Sequence, residues 1–344
     1  MPDGVLERMV EDFLSYRFPV SVFSWQGGEP TLAGLDFFKQ VVELQKKHGV
    51  NGQSVGNSIQ TNGVLIDDDW ASFFNKYKFL IGVSLDGPRD VHDRYRMMVN
   101  GSSSWRKTMD CIELLRKHNV EFSILCVVNN VNVQDGVKLY RWFIGNGIRN
   151  LQFIPCVERD PDTGRITEFS VGPTEFGKFL IDVFDEWKKR DIGRVFVRTF
   201  DSLLTYLVSG EHVFCVFGDD CHRYLLVEQN GDVYPCDFFV EEGWKLGNVV
   251  ETSLGSMFES EKEKEFASHR TRYSDECGSC RWVEFCGGGC QKERLDINGN
   301  PARHTYLCDS YKMFFSHAYD DLNVIKDKLV KAEKKGVRTV KINK

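Results

Sequence analysis

No apolar run in this sequence approaches the ~20 residues of a membrane span, and the amino terminus lacks the charged-then-apolar pattern of a secretory signal. Nor is there a basic surplus: 44 Lys and Arg stand against 50 Asp and Glu, for a net charge of −6. Electrostatics therefore selects neither nucleic acid nor an anionic membrane as partner. Solenoid-type internal repeats are missing too. Cysteine is absent from the first 110 residues and then common, eleven in all. These absences point to a cytoplasmic globular protein, a setting in which clustered thiols serve metal or redox chemistry rather than disulfides.

What is present first is alternation. "PVSVFSW" (19–25), "SVGNSIQTNG" (54–63), "FLIGVSLDG" (79–87), "EFSILCVVN" (121–129) and "LQFIPC" (151–156) read as strands. Between them "LDFFKQVVELQKKHG", "DDDWASFFNKY", "SWRKTMDCIELLRKHN" and "VQDGVKLYRWFIGNG" carry helical periodicity. Such units argue for an α/β fold with a parallel sheet or β/α barrel of five strands here. The chain opens in a helix-like stretch, "DGVLERMVEDFLSYR", although a parallel unit normally opens with a strand. A polar loop (157–172) and a helix (174–190) lead to a Gly-rich region in which "NG" at 230–231 signals a hairpin turn. A long helix follows Cys308, and the basic last ten residues are expected to fray.

The cysteines fall into two groups. Cys111, Cys126 and Cys156 sit singly in apolar surroundings and read as buried structural thiols. The other eight are spaced Cys215-x5-Cys221-x14-Cys236, then Cys277-x2-Cys280-x5-Cys286-x3-Cys290-x17-Cys308. Eight soft thiolates make two sets of four, for zinc or for iron–sulfur clusters. The run x2, x5, x3 suits a larger cluster better than the paired Cys-x2-Cys knuckles of a zinc ribbon.

This spacing, with Gly231 between Cys221 and Cys236, resembles the SPASM domain of radical S-adenosylmethionine (SAM) enzymes that modify peptides. The resemblance implies one [4Fe–4S] cluster on Cys215, Cys221, Cys236 and Cys290 and another on Cys277, Cys280, Cys286 and Cys308, both serving electron transfer. "WQGGEP" (25–30) follows a strand, where two glycines admit close backbone approach by a ligand, or simply make a tight turn into the next helix. In the family it resembles, this stretch (Gly27, Gly28, Glu29) holds the ammonium of SAM. "SLDGP" and "HDRYR" carry over Ser84 and Arg96 to the SAM carboxylate, with Arg94 as the competing choice, and the backbone of Leu151 to the adenine. Asp86 reads instead as a turn carboxylate capping local N–H groups.

The whole chain, "YPCDFFV" and "WKLGNV" included, resembles the anaerobic sulfatase-maturing enzymes, radical SAM oxidoreductases that convert a Cys or Ser of a sulfatase to Cα-formylglycine. By that resemblance Asp237 is the base that deprotonates the substrate, in a site largely shut from water, and Gln26 lies near the substrate. A solvated strand-end aspartate is the other reading of Asp237. Partners implied are the sulfatase polypeptide and a ferredoxin- or flavodoxin-type electron donor.

The Cys-x3-Cys-x2-Cys motif of the SAM cluster is not in this sequence. Either Met1 is an internal methionine of a longer chain, or the radical step has been lost. The retained SAM-binding loops favour the first. The sequence as written is then a partial (β/α)6 radical-SAM barrel lacking its first strand, with an exposed parallel edge, and is not expected to cleave SAM alone. Expected bounds are 1–156 for the partial barrel, 157–212 for a connecting helical segment, 213–308 for the SPASM domain and 309–344 for the terminal helix and basic tail. Another SPASM peptide maturase, such as a thioether-forming one, or a non-catalytic zinc or iron–sulfur peptide-binding remnant are the alternative functions.

Overall fold

A computed structural model of the chain describes residues 1–294 and 304–334; the basic tail read as frayed lies outside the described residues. In chain order the elements begin with α1 (Asp3–Ser15), β1 (Val20–Trp25), α2 (Leu35–His48), β2 (Ser54–Thr61), α3 (Asp68–Tyr77) and β3 (Leu80–Ser84). Next come α4 (Arg89–His92), α5 (Trp105–Lys117), β4 (Phe122–Val128), α6 (Gly136–Gly145) and β5 (Asn150–Pro155). They are followed by α7 (Glu175–Arg190), β6 (Phe196–Val197) and α8 (Arg198–Ser209). The cysteine-rich region adds β7 (Leu226–Val227), β8 (Asp232–Tyr234), β9 (Gly247–Asn248), α9 (Leu254–Phe258) and α10 (Glu261–Ser268). Three one-turn helices, α11 (Asp275–Gly278), α12 (Val283–Cys286) and α13 (Gln291–Arg294), precede the long α14 (Cys308–Lys334).

Packing divides the chain into two compact units, neither continuous in sequence. The first combines residues 1–84, 106–122 and 220–269; the second combines 85–105, 123–219 and the residues from 270 onward.

In the first unit β1 pairs in parallel with β2, from Val20↔Ser54 to Trp25↔Ile59, and β2 with β3. Among the described residues β1 has β2 as its one partner strand, and Val20 and Val22 are exposed along it. The apolar stripe of α1, Val5, Leu6, Met9, Val10 and Leu14, is buried against Phe23 and Val41 and also against Val233, Val249, Leu254 and Met257. Two hydrogen bonds lock the same contact: Asp12 Oδ2 accepts the Leu254 N–H at 2.6 Å, and Tyr16 Oη accepts that of Gly255 at 2.7 Å. The antiparallel β7–β9 sheet therefore shares its core with the start of the chain. The hairpin read at 230–231 joins β7 to β8, with Gly231 at φ +90°.

In the second unit β4, β5 and β6 pair in parallel. The described residues thus hold six parallel strands, three in each unit, where the alternating pattern counted five. The addition is β6, two residues paired with Asn150 and Leu151, too short to leave a period in the sequence. Helix α7 buries Phe176, Phe179, Phe184 and Trp187, and Phe184 packs edge-on against Phe314 of α14. Gly177 permits the closest approach, because a side-chain carbon there would lie 2.6 Å from the Ser310 backbone. Its N–H donates to Ser310 Oγ at 2.8 Å, which fixes the first turn of α14 and with it Cys308. Among the described residues no helix is long and apolar enough to cross a membrane.

Candidate functional site

In the first unit the candidate residues gather at the carboxyl ends of β1, β2 and β3, where parallel sheets present ligand-binding loops. Gly27 adopts φ +137°, and an added side-chain carbon at Gly27 or Gly28 would meet nothing within 4 Å. The loop surface there is open. Glu29 is held by four donors: the Thr31 N–H and hydroxyl, the Thr61 hydroxyl and the Asn62 N–H, at 2.6–3.1 Å. Three of these fall on Oε1 and one on Oε2, so Oε2 keeps a lone pair for a further donor such as an ammonium. Both readings of the glycine loop thus find support. Glu29 caps the turn that Thr31 begins, and an open face and a free acceptor position remain beside it. Ser84, ending β3, accepts from Gln60 Nε2 at 2.9 Å.

The same unit brings together Gln26 and Asp237, 211 positions apart, with Gln26 Nε2 donating to Asp237 Oδ2 at 2.9 Å. Asp237 follows Cys236 on the loop after β8. It is half-buried, not largely shut from water, because this loop turns outward and leaves Phe238 50% exposed beside it. Its other oxygen accepts the hydroxyl of Tyr224 at 2.9 Å. Tyr224 was not singled out by sequence reasoning; its only sequence signal is its place three residues after Cys221. Burial, with Cys236 and Asp237 alongside, pushes the Tyr224 phenol up, so it remains a donor. Burial likewise pushes the Cys236 thiol up to about 12. Such a thiol surrenders its proton to a metal rather than to water. Next to Cys221, the His222 ring stacks on Phe258 with centroids 3.7 Å apart and sets Nδ1 3.2 Å from Glu263 Oε1.

In the second unit Asp86 is buried and accepts the Val127 N–H of β4 at 2.9 Å, a partner 41 positions away rather than the local N–H groups read from the sequence. Its second oxygen takes Arg96 Nε at 2.7 Å. Arg96 is thereby oriented through Nε, its side chain 26% exposed, while Arg94 lies over the Tyr95 ring. Leu151 stands at the amino end of β5 with its side chain in the core. Of the lone thiols, Cys111 and Cys126 are buried and Cys156 only half so.

Cys277, Cys280, Cys286 and Cys308 line one cavity, walled on its apolar side by Trp282 and Phe315. Burial pushes the Cys286 thiol to about 11. Among the described residues no three His, Cys, Asp or Glu side chains are grouped as a single metal ion needs. Four thiols spread around a cavity fit a multi-iron cluster better than a lone zinc. Between Cys286 and Cys290 the three glycines 287–289 all have positive φ, +53°, +73° and +77°, a run that L side chains do not tolerate.

Two buried arginines hold this loop, and sequence reasoning missed both. Arg270 donates to the carbonyls of Cys215, Val216, Gly218 and Gly289. Arg294 donates to those of Gly287, Gly288 and Arg270. Cys215 and Cys290 belong to this unit, Cys221 and Cys236 to the first.

Comparison with known proteins agrees with this geometry. Residues 1–143 match the radical SAM superfamily, and residues 209–281 match SPASM, an iron–sulfur cluster-binding domain. The chain is 38% identical over 324 residues to the cysteine-type anaerobic sulfatase-maturating enzyme of Clostridium perfringens, with 94% of this chain and 88% of that protein covered. It is 35% identical to the serine-type enzyme of Bacteroides thetaiotaomicron, at 96% and 84% coverage. The fold superposes on native anSMEcpe with bound AdoMet and Kp18Cys peptide at a TM-score of 0.92 and 38% identity, covering 95% of this chain and 91% of that one.

Proposed function

The chain belongs to the anaerobic sulfatase-maturating enzymes, and from that membership we propose that Asp237 is the proton acceptor, and Gln26 a substrate contact, in converting a Cys or Ser of a sulfatase polypeptide to Cα-formylglycine. The observation that carries this reading is the 2.9 Å bond between Gln26, on the glycine loop, and Asp237, beside Cys236. It places a carboxylate next to the loop that would hold SAM and next to a thiol that would hold iron.

SAM on a cluster held by a Cys-x3-Cys-x2-Cys motif, which this sequence does not carry, would supply hydrogen-atom removal from the substrate Cβ, and the auxiliary [4Fe–4S] clusters would supply one-electron acceptance. Gly27 and Gly28 leave room at the end of β1, and Glu29 offers its Oε2 lone pair to the SAM ammonium. Ser84 and Arg96 would meet the carboxylate, Arg96 being held through Nε by Asp86. Leu151 stands at the amino end of β5, paired with β4 and β6 and with its side chain in the core, and so does not fit the adenine contact that the resemblance gave it. Cys277, Cys280, Cys286 and Cys308 would hold one auxiliary cluster, in support of which they line one cavity. Cys215, Cys221, Cys236 and Cys290 would hold the other. Asp237 takes the thiol or hydroxyl proton of the substrate, and Cys236 beside it would hold a cluster able to accept an electron. The substrate carbon loses two electrons, one with its hydrogen atom and one that the auxiliary clusters would accept, while a ferredoxin- or flavodoxin-type protein would supply the electron that starts SAM cleavage.

The test is Asp237→Asn in an enzyme to which the Cys-x3-Cys-x2-Cys segment absent from this sequence has been restored. The amide cannot accept the proton, and formylglycine formation should fall by roughly 10²–10⁴-fold. Iron and sulfide should stay at the level of the restored parent, about twelve each for three cubanes. Unimpaired turnover would remove Asp237 as base.

A further inference from the structure

The hairpin that delivers Cys236 also delivers a residue that faces it. In β7–β8 the register pairs Leu226 with Tyr234 and Val227 with Val233. Continued by two residues, it sets Tyr224 opposite Cys236. From there the Tyr224 hydroxyl reaches Asp237 Oδ1 at 2.9 Å, with Cys236 Sγ at 3.4 Å. A phenol has one hydrogen, and the nearer and stronger acceptor is the carboxylate. Gln26 holds the opposite oxygen, Oδ2. Cys236 Sγ also lies 3.4 Å from Oδ1, but its proton would be lost on binding iron. With Tyr224 and Gln26 on opposite oxygens, the carboxylate cannot rotate about Cβ–Cγ without breaking a bond. An ionised carboxylate offers about four acceptor positions, so the two that remain point in fixed directions.

We propose that Tyr224 is a positioning residue for the reaction: its hydroxyl, working against Gln26, aims the unoccupied acceptor positions of Asp237 at the thiol or hydroxyl hydrogen of the bound sulfatase segment. This rests on the reading of Asp237 as the group that meets the substrate. Tyr224 never touches the reacting atoms. Its effect is on which peptides the site tells apart, a cysteine or serine at the target position from a residue without an S–H or O–H.

Tyr224→Phe tests it, because the change removes one oxygen and keeps a ring that is 42% exposed. Affinity is measured for a sulfatase-derived peptide with Cys at the target position and for its Ala analogue, on the cluster-loaded full chain, alongside visible and EPR spectra. The parent protein should favour the Cys peptide by about tenfold, the share of one charge-assisted hydrogen bond. In Tyr224→Phe that preference should shrink to about twofold, while Ala-peptide affinity and spectra stay as in the parent. An undiminished preference overturns the proposal. So does parallel loss of Ala-peptide binding and of the cluster signal, which would make Tyr224 a structural brace. Asp237→Asn measured beside it separates the premise from the proposal. If that variant keeps the full preference, Asp237 does not meet the substrate, and the positioning role falls with it.

Discussion

Gly27–Gly28 and Gly287–Gly289 are both glycine runs at a presumptive ligand, and they are glycine for opposite reasons. At Gly27 and Gly28 a side chain would meet nothing. At Gly287 it would strike the Phe217 and Gly218 carbonyls, at Gly288 the Arg294 guanidinium and Tyr273, and at Gly289 Thr305. The first run is empty on its outer face, which is space for a ligand that approaches backbone. The second is crowded, and the small residue serves the protein's own packing around thiols. Glycine-rich sequence near a cofactor therefore carries two meanings, told apart by what surrounds the missing Cβ.

The largest effect should come from Gly288→Ala. The new methyl enters a position with φ +73° and collides with Arg294, which is 1% exposed and bonded to three carbonyls of this unit. Neither the backbone nor the guanidinium can yield, so roughly 3 kcal/mol or more of stability should be lost. Denaturant unfolding reads the loss directly. Iron content should fall toward about four per chain as the Cys277–Cys308 cavity closes badly. Full iron loading with unchanged stability would show that the crowding is not binding on the fold.

How much of this was legible beforehand follows from where the information lies. Cysteine spacing is local and carried the resemblance that grouped Cys277, Cys280, Cys286 and Cys308, four residues that line one cavity. Strands long enough to alternate were legible too, whereas Asp86, read as a local turn cap, instead holds Val127 of β4 and Arg96. Arg270 and Arg294 were not, because they act through backbone carbonyls that no side-chain pattern reveals. Tyr224 was hidden because its partner is set by the β7–β8 register rather than by sequence distance. The shared core of α1 with Val233, Val249, Leu254 and Met257 is a contact over more than 200 positions, so the compact units could not be read as linear segments. Asp237 was expected to be dry and is not, since its loop turns outward beside Phe238.

An intermediate effect is expected for Glu29→Gln, which probes the empty run from its flank. The carboxylate satisfies four donors. A carboxamide has one oxygen, and turning that oxygen to the threonines sets its NH2 against the Asn62 N–H. One buried donor then loses its acceptor, at a cost of about 1–3 kcal/mol. Amide exchange at Asn62 should quicken, and SAM affinity should fall because the Oε2 lone pair is gone. Exchange at the slow rate of the parent would mean that Glu29 is not what holds β1 to β2 here.

The smallest effect on stability, and the sharpest contrast with Gly288, belongs to Gly28→Ala. Gly28 is not in the left-handed region, so alanine adopts its backbone without strain, and the methyl points into open space. Unfolding free energy should move by no more than about 0.5 kcal/mol, as for a surface substitution. SAM affinity should nonetheless drop by roughly tenfold, because a methyl on the face a ligand must touch forfeits contacts and pushes the ligand outward. The pairing of intact stability with weakened binding is the signature of a glycine kept for a ligand. If Gly28→Ala instead unfolds the protein as Gly288→Ala should, the two runs are alike and the open loop is packing of another kind. If it changes neither stability nor binding, the space beside β1 is not where SAM lies.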